Sequence, residues 1–561
     1  MARLFFVALL TLGLNCSSAI AQFEASFVLL NGKIYTGNEK GDVVKAIHIH
    51  KGKIAAVGSN EAMLGRVKPG TRVVELQGRT VLPGFIDSHG HLLNLGLSLM
   101  NLDLVGTSIY EEIVGRVAEA VENRKPGEWI IGRGWDQNDW AEKAFPSHGA
   151  LSAISPNNPV LLTRIDGHAS LVNAEAMRRA GLTIDTADPD GGRIMRDSEG
   201  VPTGVLIDRA SGLVSTKVPA PDSQTKKRAI RMAIDHCTAK GLTSIHDAGV
   251  TRETVDLYKE AIDSNRFNFR VYAMLRAQKF DDFESFTTFL NQKPLIGYGN
   301  DQLTVRSVKV VADGALGSRG AALFDAYTDE PGNKGLLITD LAQLTLISNI
   351  ALSKGYQVNA HAIGDLANNA VLTAYATAFK RKNGSKYRFR IEHAQIMRPE
   401  DIEWMGKLGV IASIQATHAT SDMPWVEERV GAERIQGAYA WRTMIDDDVR
   451  IANGSDFPVE NANPLWGFYA AITRADHEGN PAGGWRADQA LTREEALHSF
   501  TLGGAYAAFE EDIKGSLEAG KWADLVILSK DIMTIPAAEI LEIEVLLTLI
   551  GGKVVHRTEP F

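Results

Sequence analysis

Val81-Leu82-Pro83-Gly84-Phe85-Ile86-Asp87-Ser88-His89-Gly90-His91 is an apolar run that breaks into two histidines. In a strand, successive side chains point to opposite faces, so residues two apart share one. His89 and His91 therefore face the same way at a strand end, where a single cation can hold both imidazoles. Taken alone, the pair also fits a polar strand end that happens to carry histidine. The reading depends on whether the rest of the chain supplies matching ligands.

Four further signals do so. Lys309 lies inside the apolar run Ser307-Val308-Lys309-Val310-Val311-Ala312. Burying an ammonium is costly, so this lysine either reaches water from an edge strand or serves chemistry. His361 ends Val358-Asn359-Ala360-His361, His393 ends Phe389-Arg390-Ile391-Glu392-His393, and Asp456 follows Ile451-Ala452-Asn453-Gly454-Ser455. Each follows a strand-like run and precedes a loop or a helix start. His361 and His393 are one βα unit apart, and His393 and Asp456 two, if about 250 residues make eight units. The longer interval from Lys309 to His361 accommodates the loop Gly317–Tyr327, expected to lie over the site.

From about residue 83 to 510 the chain alternates short apolar strands with amphipathic helices, which implies parallel βα units. Polar residues gathered at strand ends are what a (β/α)8 TIM-like barrel shows at its active face. The expected architecture is α/β: such a barrel over 83–510, interrupted by a less regular insertion at about 120–225 near its mouth. Residues 22–82 and 511–561 read as short strands and turns, and are expected to form one small β-sandwich domain from both chain ends. Within it, Asn31-Gly32 after Phe27–Leu30 is a hairpin signal, and Ala46–His50 turns at Gly52 into Ile54–Val57. His48 and His50 alternate too, but without partner ligands they read as an exposed strand face.

The combined motifs resemble the metal-dependent amidohydrolase superfamily. They are Pro83-Gly-Phe-Ile-Asp-Ser-His89-Gly-His91, Lys309 with Ala312-Asp-Gly314, Asn359-Ala-His361-Ala-Ile-Gly-Asp365, Arg390-Ile-Glu-His393-Ala-Gln395 and Gly454-Ser-Asp456-Phe-Pro458. Gly132-Arg-Gly-Trp135-Asp136-Gln137 and Ser413–Asp422 are similar to its YtcJ-like, N-substituted formamide deformylase-like (amidohydrolase 3) group. The resemblance implies that His89 and His91 bind one metal and that His361 and His393 bind a second. It also implies a CO2-derived carbamate on Lys309 bridging the two ions, and Asp456 as both metal ligand and proton carrier. The ions implied are zinc, two where every ligand is present, with other divalent metals compatible. Trp135, Asp136, Arg319, His418 and Asp422 are candidates for the substrate pocket.

The chemistry expected is hydrolysis of a C–N bond other than a peptide bond (amide, formamide or cyclic amide) by metal-activated hydroxide, with Asp456 as general base and then acid. An ester or phosphotriester hydrolase on the same metals, or a non-catalytic binding protein on this scaffold, is the alternative. Glu392, next to His393, is expected to point away from the site and make a structural salt bridge. His168 and His246 are expected behind the ligands rather than among them, and His148, His236, His477 and His498 on loops or helix surfaces.

Composition narrows the partners. A hydrophobic content of 45 %, a charged content of 23 % and a net charge of −9 describe a globular chain without the basic patches of a nucleic-acid binder. Arg3, the apolar run Leu4–Leu14 and Ala19-Ile20-Ala21 form an export signal over 1–21, with a periplasmic or secreted destination expected. Asn15 suits lipoprotein processing at Cys16 poorly, which ranks a lipid anchor second. No stretch is long enough to predict a membrane span. Cleavage would leave Cys237 alone, expected as a small buried residue with no disulfide. The partner is a small-molecule substrate. A homo-oligomer is compatible with the sequence, which sets no oligomeric state.

Overall fold

The computed structural model describes residues 26–558 apart from 138–139, 165–166, 190, 278–282 and 381–383. The stretch expected to be an export signal, its expected cleavage site and Cys16 lie outside the described residues. Eight parallel strands form the centre: β1 (Phe85–Gly90), β2 (Leu242–Val250), β3 (Arg270–Arg276), β4 (Leu303–Val311), β5 (Gln357–Ala362), β6 (Arg390–His393), β7 (Ile411–Gln415) and β8 (Ile451–Gly454). They follow one another around the sheet in chain order. Between β8 and β1 the ring is drawn together just beyond the strands. Asp456 N–H donates to the His89 carbonyl (2.6 Å) and His91 N–H to that of Phe457 (2.9 Å). At this seam a Cβ on Gly454 would stand 2.5 Å from His89 N, so only glycine fits the approach. The result is a nearly closed TIM-like barrel.

Alternation along each strand explains both layers. On β4, Val308 and Val310 face the surrounding helices, as do Val358 and Ala360 on β5 and Ala412 and Ile414 on β7. The intervening residues Ser307, Lys309, Asn359, Arg390, Glu392 and Ser413 are buried on the other face, inside the barrel. Polar interior rows of this kind lead directly to the carboxyl ends of the strands.

The chain ends build two further sheets. One holds Ser26–Leu30, Ala46–His50, Lys53–Gly58 and Arg72–Glu75; in the other, Thr80–Pro83 lies antiparallel to Leu525–Leu528. Ala46–His50 and Lys53–Gly58 form the expected hairpin, and Val545–Ile550 pairs antiparallel with Lys553–Arg557. The Asn31-Gly32 turn does not make a hairpin. Ser26–Leu30 pairs with Ala46–His50 in one sheet, whereas Lys33–Tyr35 pairs with Thr80–Pro83 in the other. The turn passes the chain from sheet to sheet because both are needed to enclose Phe27, Leu29 and Ile34.

Between β1 and β2 the chain makes a separate six-stranded mixed sheet, running from Leu102–Asp103 to Pro202–Asp208 in sequence. The insertion thus begins before residue 120. Its first turns were hidden in the sequence because Tyr110–Glu122 is a regular amphipathic helix like those of the barrel. Cys237 is fully buried in the barrel's main apolar cluster.

Candidate metal centre

At the carboxyl end of the barrel, β1, β4, β5, β6 and β8 deliver His89, His91, Lys309, His361, His393 and Asp456 to the wall of one cavity of about 970 Å³. The helix Ala416–Asp422, which follows β7, adds His418. His89 Nε2 is 3.0 Å from Lys309 Nζ and 3.7 Å from Asp456 Oδ1. His91 Nε2 is 3.0 Å from the same Asp456 oxygen, and His418 Nε2 is 4.0 Å from Asp456 Oδ2. The His393 ring lies 4.5 Å from that of His361 and 4.9 Å from that of His89, centroid to centroid.

Hydrogen bonds behind the rings fix which nitrogen is bare. His91 Nδ1 donates to the Ala248 carbonyl (2.8 Å). His393 Nδ1 donates to Gln415 Oε1 (2.6 Å), and the Gln415 amide N–H in turn holds the Ser413 carbonyl. His89 Nδ1 donates to the Glu392 carboxylate. Each proton is thereby kept on Nδ1, which turns the Nε2 lone pair, the one able to ligate a metal, toward the cavity.

Glu392 therefore does not point away from the site. It makes the expected salt bridge, with Arg390 at 2.8 Å, but inside the barrel and directly beneath His89. His393 breaks the alternation, not Glu392. With φ of 79° at His393 and 45° at Ala394, the backbone leaves the strand and swings the imidazole over the barrel end. Arg390 continues the network to the Ser88 carbonyl, Ser413 and His246 Nδ1. His246 is thus linked to His89 through Arg390 and Glu392.

Burial and charge tune the set toward metal binding. Burial, with the Lys309 charge acting the same way, pushes His89 down to about 4 and His361 down to about 3; burial also lowers His393. Each shift favours the neutral imidazole, the form that ligates. Burial brings the Lys309 amine down to about 8, against the pull of Glu392 and Asp456. Burial opposes ionisation of Asp456, but His91, His89 and His418 outweigh it and hold the carboxyl below the usual range. Burial would lower His91, yet Asp456 raises it.

The residues fit a divalent ion. Four ligands at about 2.0–2.1 Å around zinc stand roughly 3.4 Å from one another, and the Nε2-to-Asp456 distances lie on either side of that value. Two groups have ligand atoms all within 4.8 Å of one another: His89, His91 and Asp456, and His393, His418 and Asp456. Among the described residues, buried His361 Nε2, His418 Nε2 and Asp456 Oδ1 have no hydrogen-bond partner. Lone pairs left bare in this way are costly unless something electrophilic meets them.

Residues 72–556 match the family described as the amidohydrolase family. The chain belongs to that family. It is 33 % identical to YtcJ of Bacillus subtilis (strain 168), over 94 % of this chain and 98 % of that protein. With the N-substituted formamide deformylase of Arthrobacter pascens the identity is 26 %, over 94 % and 97 % respectively. An uncharacterized metal-dependent hydrolase from Pyrococcus furiosus superimposes with a TM-score of 0.75 at 29 % identity, covering 91 % of this chain and all of the other. The chain is accordingly a hydrolase of the metal-dependent amidohydrolase superfamily.

Not every candidate pocket residue lies in this amidohydrolase's cavity. His418 and Asp422 line it. Trp135, Asp136 and Arg319 do not line it. Trp135 is packed in the core of the inserted sheet, its Nε1 donating to the Leu162 carbonyl (2.9 Å), and Asp136 directly follows it there. Arg319 is held by Asp329 (2.8 Å) and Glu330 (3.4 Å) in the loop after β4. His168 is largely exposed and bonds Asp208 in the insertion. Arg276, Gln395, Trp425 and Glu460 line the cavity and were missed. Arg276 carried a usable signal, a charge ending an apolar strand as Asp456 does. Among the described residues, no helix is long and apolar enough to cross a membrane.

Proposed function

We propose that this chain hydrolyses a C–N bond of a small amide, formamide or cyclic amide, using zinc held by His89, His91, His361, His393 and Asp456. In this reading the site would hold two ions, and the Lys309 amine, carboxylated by CO2, would supply an oxygen ligand to them. The observation that carries it is the convergence of the His89, His91 and His393 imidazoles and the Asp456 carboxyl on the wall of one cavity, with each Nδ1 engaged behind its ring. An amine brought down to about 8 supports the carbamate, because only the neutral amine attacks CO2.

When bound, the metal supplies a water acidified to about pH 7 and a polarised carbonyl. Asp456 takes the proton from the attacking water and delivers it to the departing nitrogen. Glu392 keeps the His89 imidazole in its ligating tautomer. Phe286, Leu316, Ile338, Leu346 and Ile347 give the cavity an apolar wall, which suits a substituted amide with a bulky apolar group. The name of the Arthrobacter relative supports including N-substituted formamides in the search. The sequence over 1–21 supports work outside the cytoplasm.

The test is a turnover screen of metal-loaded enzyme against N-substituted formamides, acyl amino acids, cyclic amides, an aryl ester and an aryl phosphotriester, with metal content measured in parallel. C–N cleavage at the highest kcat/KM is expected. Preference for the phosphotriester or the ester moves the reaction to that bond. Failure to take up metal overturns the proposal.

A further inference from the structure

We infer that His418 is a metal ligand, binding together with His393 and Asp456 the ion on the β6–β7 side of the centre. This inference rests on the metal-dependent reading above and adds to it a ligand from β7, a strand that the resemblance leaves without one.

Three observations carry it. First, the ligand atoms of His393, His418 and Asp456 lie within 4.8 Å of one another. Second, His418 Nε2 is buried and, among the described residues, has no hydrogen-bond partner. The Asp456 oxygen it faces is 4.0 Å away, too far for a hydrogen bond. That separation falls in the range of two ligands on one ion, which runs from about 3.4 Å for tetrahedral neighbours to about 4.2 Å for opposite ones. Third, the His418 and His393 rings are nearly parallel, 11° apart, with centroids separated by 5.9 Å. Both rings line the same cavity. The helix that carries His418 begins immediately at the end of β7, with Gln415 as its cap residue. Gln415 also fixes the His393 tautomer. One short segment thus positions both imidazoles.

His361, the residue paired with His393 by resemblance, stands differently. Its Nε2 is 3.5 Å from Asp313 Oδ1, and Asp313 is itself held by the backbone N–H groups of Ala322, Ile363 and Gly364. Of the two, His418 is the one whose ligand atom lies within 4.8 Å of those of His393 and Asp456 together.

The test compares wild type, His418→Gln and His89→Gln, each stripped, reloaded with Zn²⁺ or Co²⁺ and dialysed, with circular dichroism confirming the fold. Metal per chain, metal affinity and the visible Co²⁺ spectrum are read. The expected result for His418→Gln is at least a 10-fold loss of affinity for one ion and a changed Co²⁺ spectrum. Added imidazole should partly restore both in His418→Ala. Unchanged affinity and spectrum in a folded His418→Gln, beside a loss in His89→Gln, overturn this inference and leave the metal-dependent reading standing. A wild type that takes up no metal overturns both. Should the variants not fold, anomalous diffraction from zinc-loaded wild type decides: His418 Nε2 at about 2.0–2.1 Å from an ion supports the inference, and a ring turned away from every ion ends it.

Discussion

Between the terminal sheets, Leu525, Ile527, Leu547 and Leu549 enclose an apolar core with Phe27, Leu29, Ile47 and Ile49. Inside the barrel the buried strand positions are filled instead by Lys309, Asn359, Arg390, Glu392, Ser413 and His246. Both regions exclude water, but only one does so with groups that gain from exclusion. Ionic side chains at full burial recover their desolvation cost only through well-placed partners, and apolar residues of equal volume often do as well or better. The barrel interior is therefore arranged for chemistry at its mouth, while the terminal sandwich is arranged for cohesion. Mutations should separate the two: lost activity with retained stability in one region, and lost stability with retained activity in the other.

The largest separation is expected at Asp456. Asp456→Asn keeps the shape and removes the group proposed to carry the proton, so kcat on the best substrate from the screen should fall by about 10²- to 10⁴-fold. Thermal stability should stay close to wild type. A variant with near-normal kcat would break the assignment of the proton step to Asp456.

Glu392 tests whether the barrel interior is a unit. Glu392→Gln leaves the Arg390 guanidinium buried without its carboxylate and takes the acceptor charge from His89. Breaking a buried pair from one side costs roughly 3–5 kcal/mol, and losing the support behind a metal-binding histidine costs about 10- to 100-fold in metal affinity. Denaturant titration of the stripped protein and metal competition read the two separately. Loss of stability with unchanged metal affinity would make Glu392 a partner of Arg390 only.

Leu525→Ala is the counterpart in the other core. A fully buried leucine truncated between packed sheets costs about 2–5 kcal/mol. The activity of each folded molecule should not change, because no residue of this cluster lines the cavity. Loss of kcat in the folded fraction would show that the sandwich acts on the site and would close the distinction drawn above.

This division also explains what could be read from the sequence. A barrel strand that ends in a residue able to ligate a metal announces itself, because apolar residues stop abruptly at His89, His361 or Asp456. The residues gathered at the barrel mouth were legible for that reason, and the alternation of strands and helices carried the fold. What failed was the inference from pattern to direction. Alternation sent Glu392 outward because it assumed that His393 kept strand geometry, whereas a positive φ releases His393 from it. Asn31-Gly32 has the composition of a hairpin turn, yet its strands find partners in different sheets, a choice made by residues far away in sequence. Trp135 and Asp136 belong to a motif associated with a pocket, and their strand instead closes the core of the inserted sheet. His418 was legible as a cavity residue, but its relation to Asp456 exists only once β7 and β8 lie side by side.

The smallest effect lies outside both cores, where charge is half-exposed. Glu495 caps the helix Arg493–Ser499 through Thr492 and receives both Arg442 nitrogens, at 2.8 and 2.5 Å. Arg442 chiefly, against partial burial and helped by the Thr492 N–H, brings this carboxyl down to about 2. A carboxyl lowered on folding stabilises fully above its unfolded value, near 4.5, and the contribution disappears as pH falls through the folded value. Because the pair is partly solvated, its worth is about 1 kcal/mol rather than the full shift. Glu495→Gln should accordingly be about 1 kcal/mol less stable than wild type at pH 7, and the gap should narrow steadily from pH 4.5 toward pH 2. A gap that stays constant across that range would assign the loss to the neutral capping hydrogen bond, not to the charge.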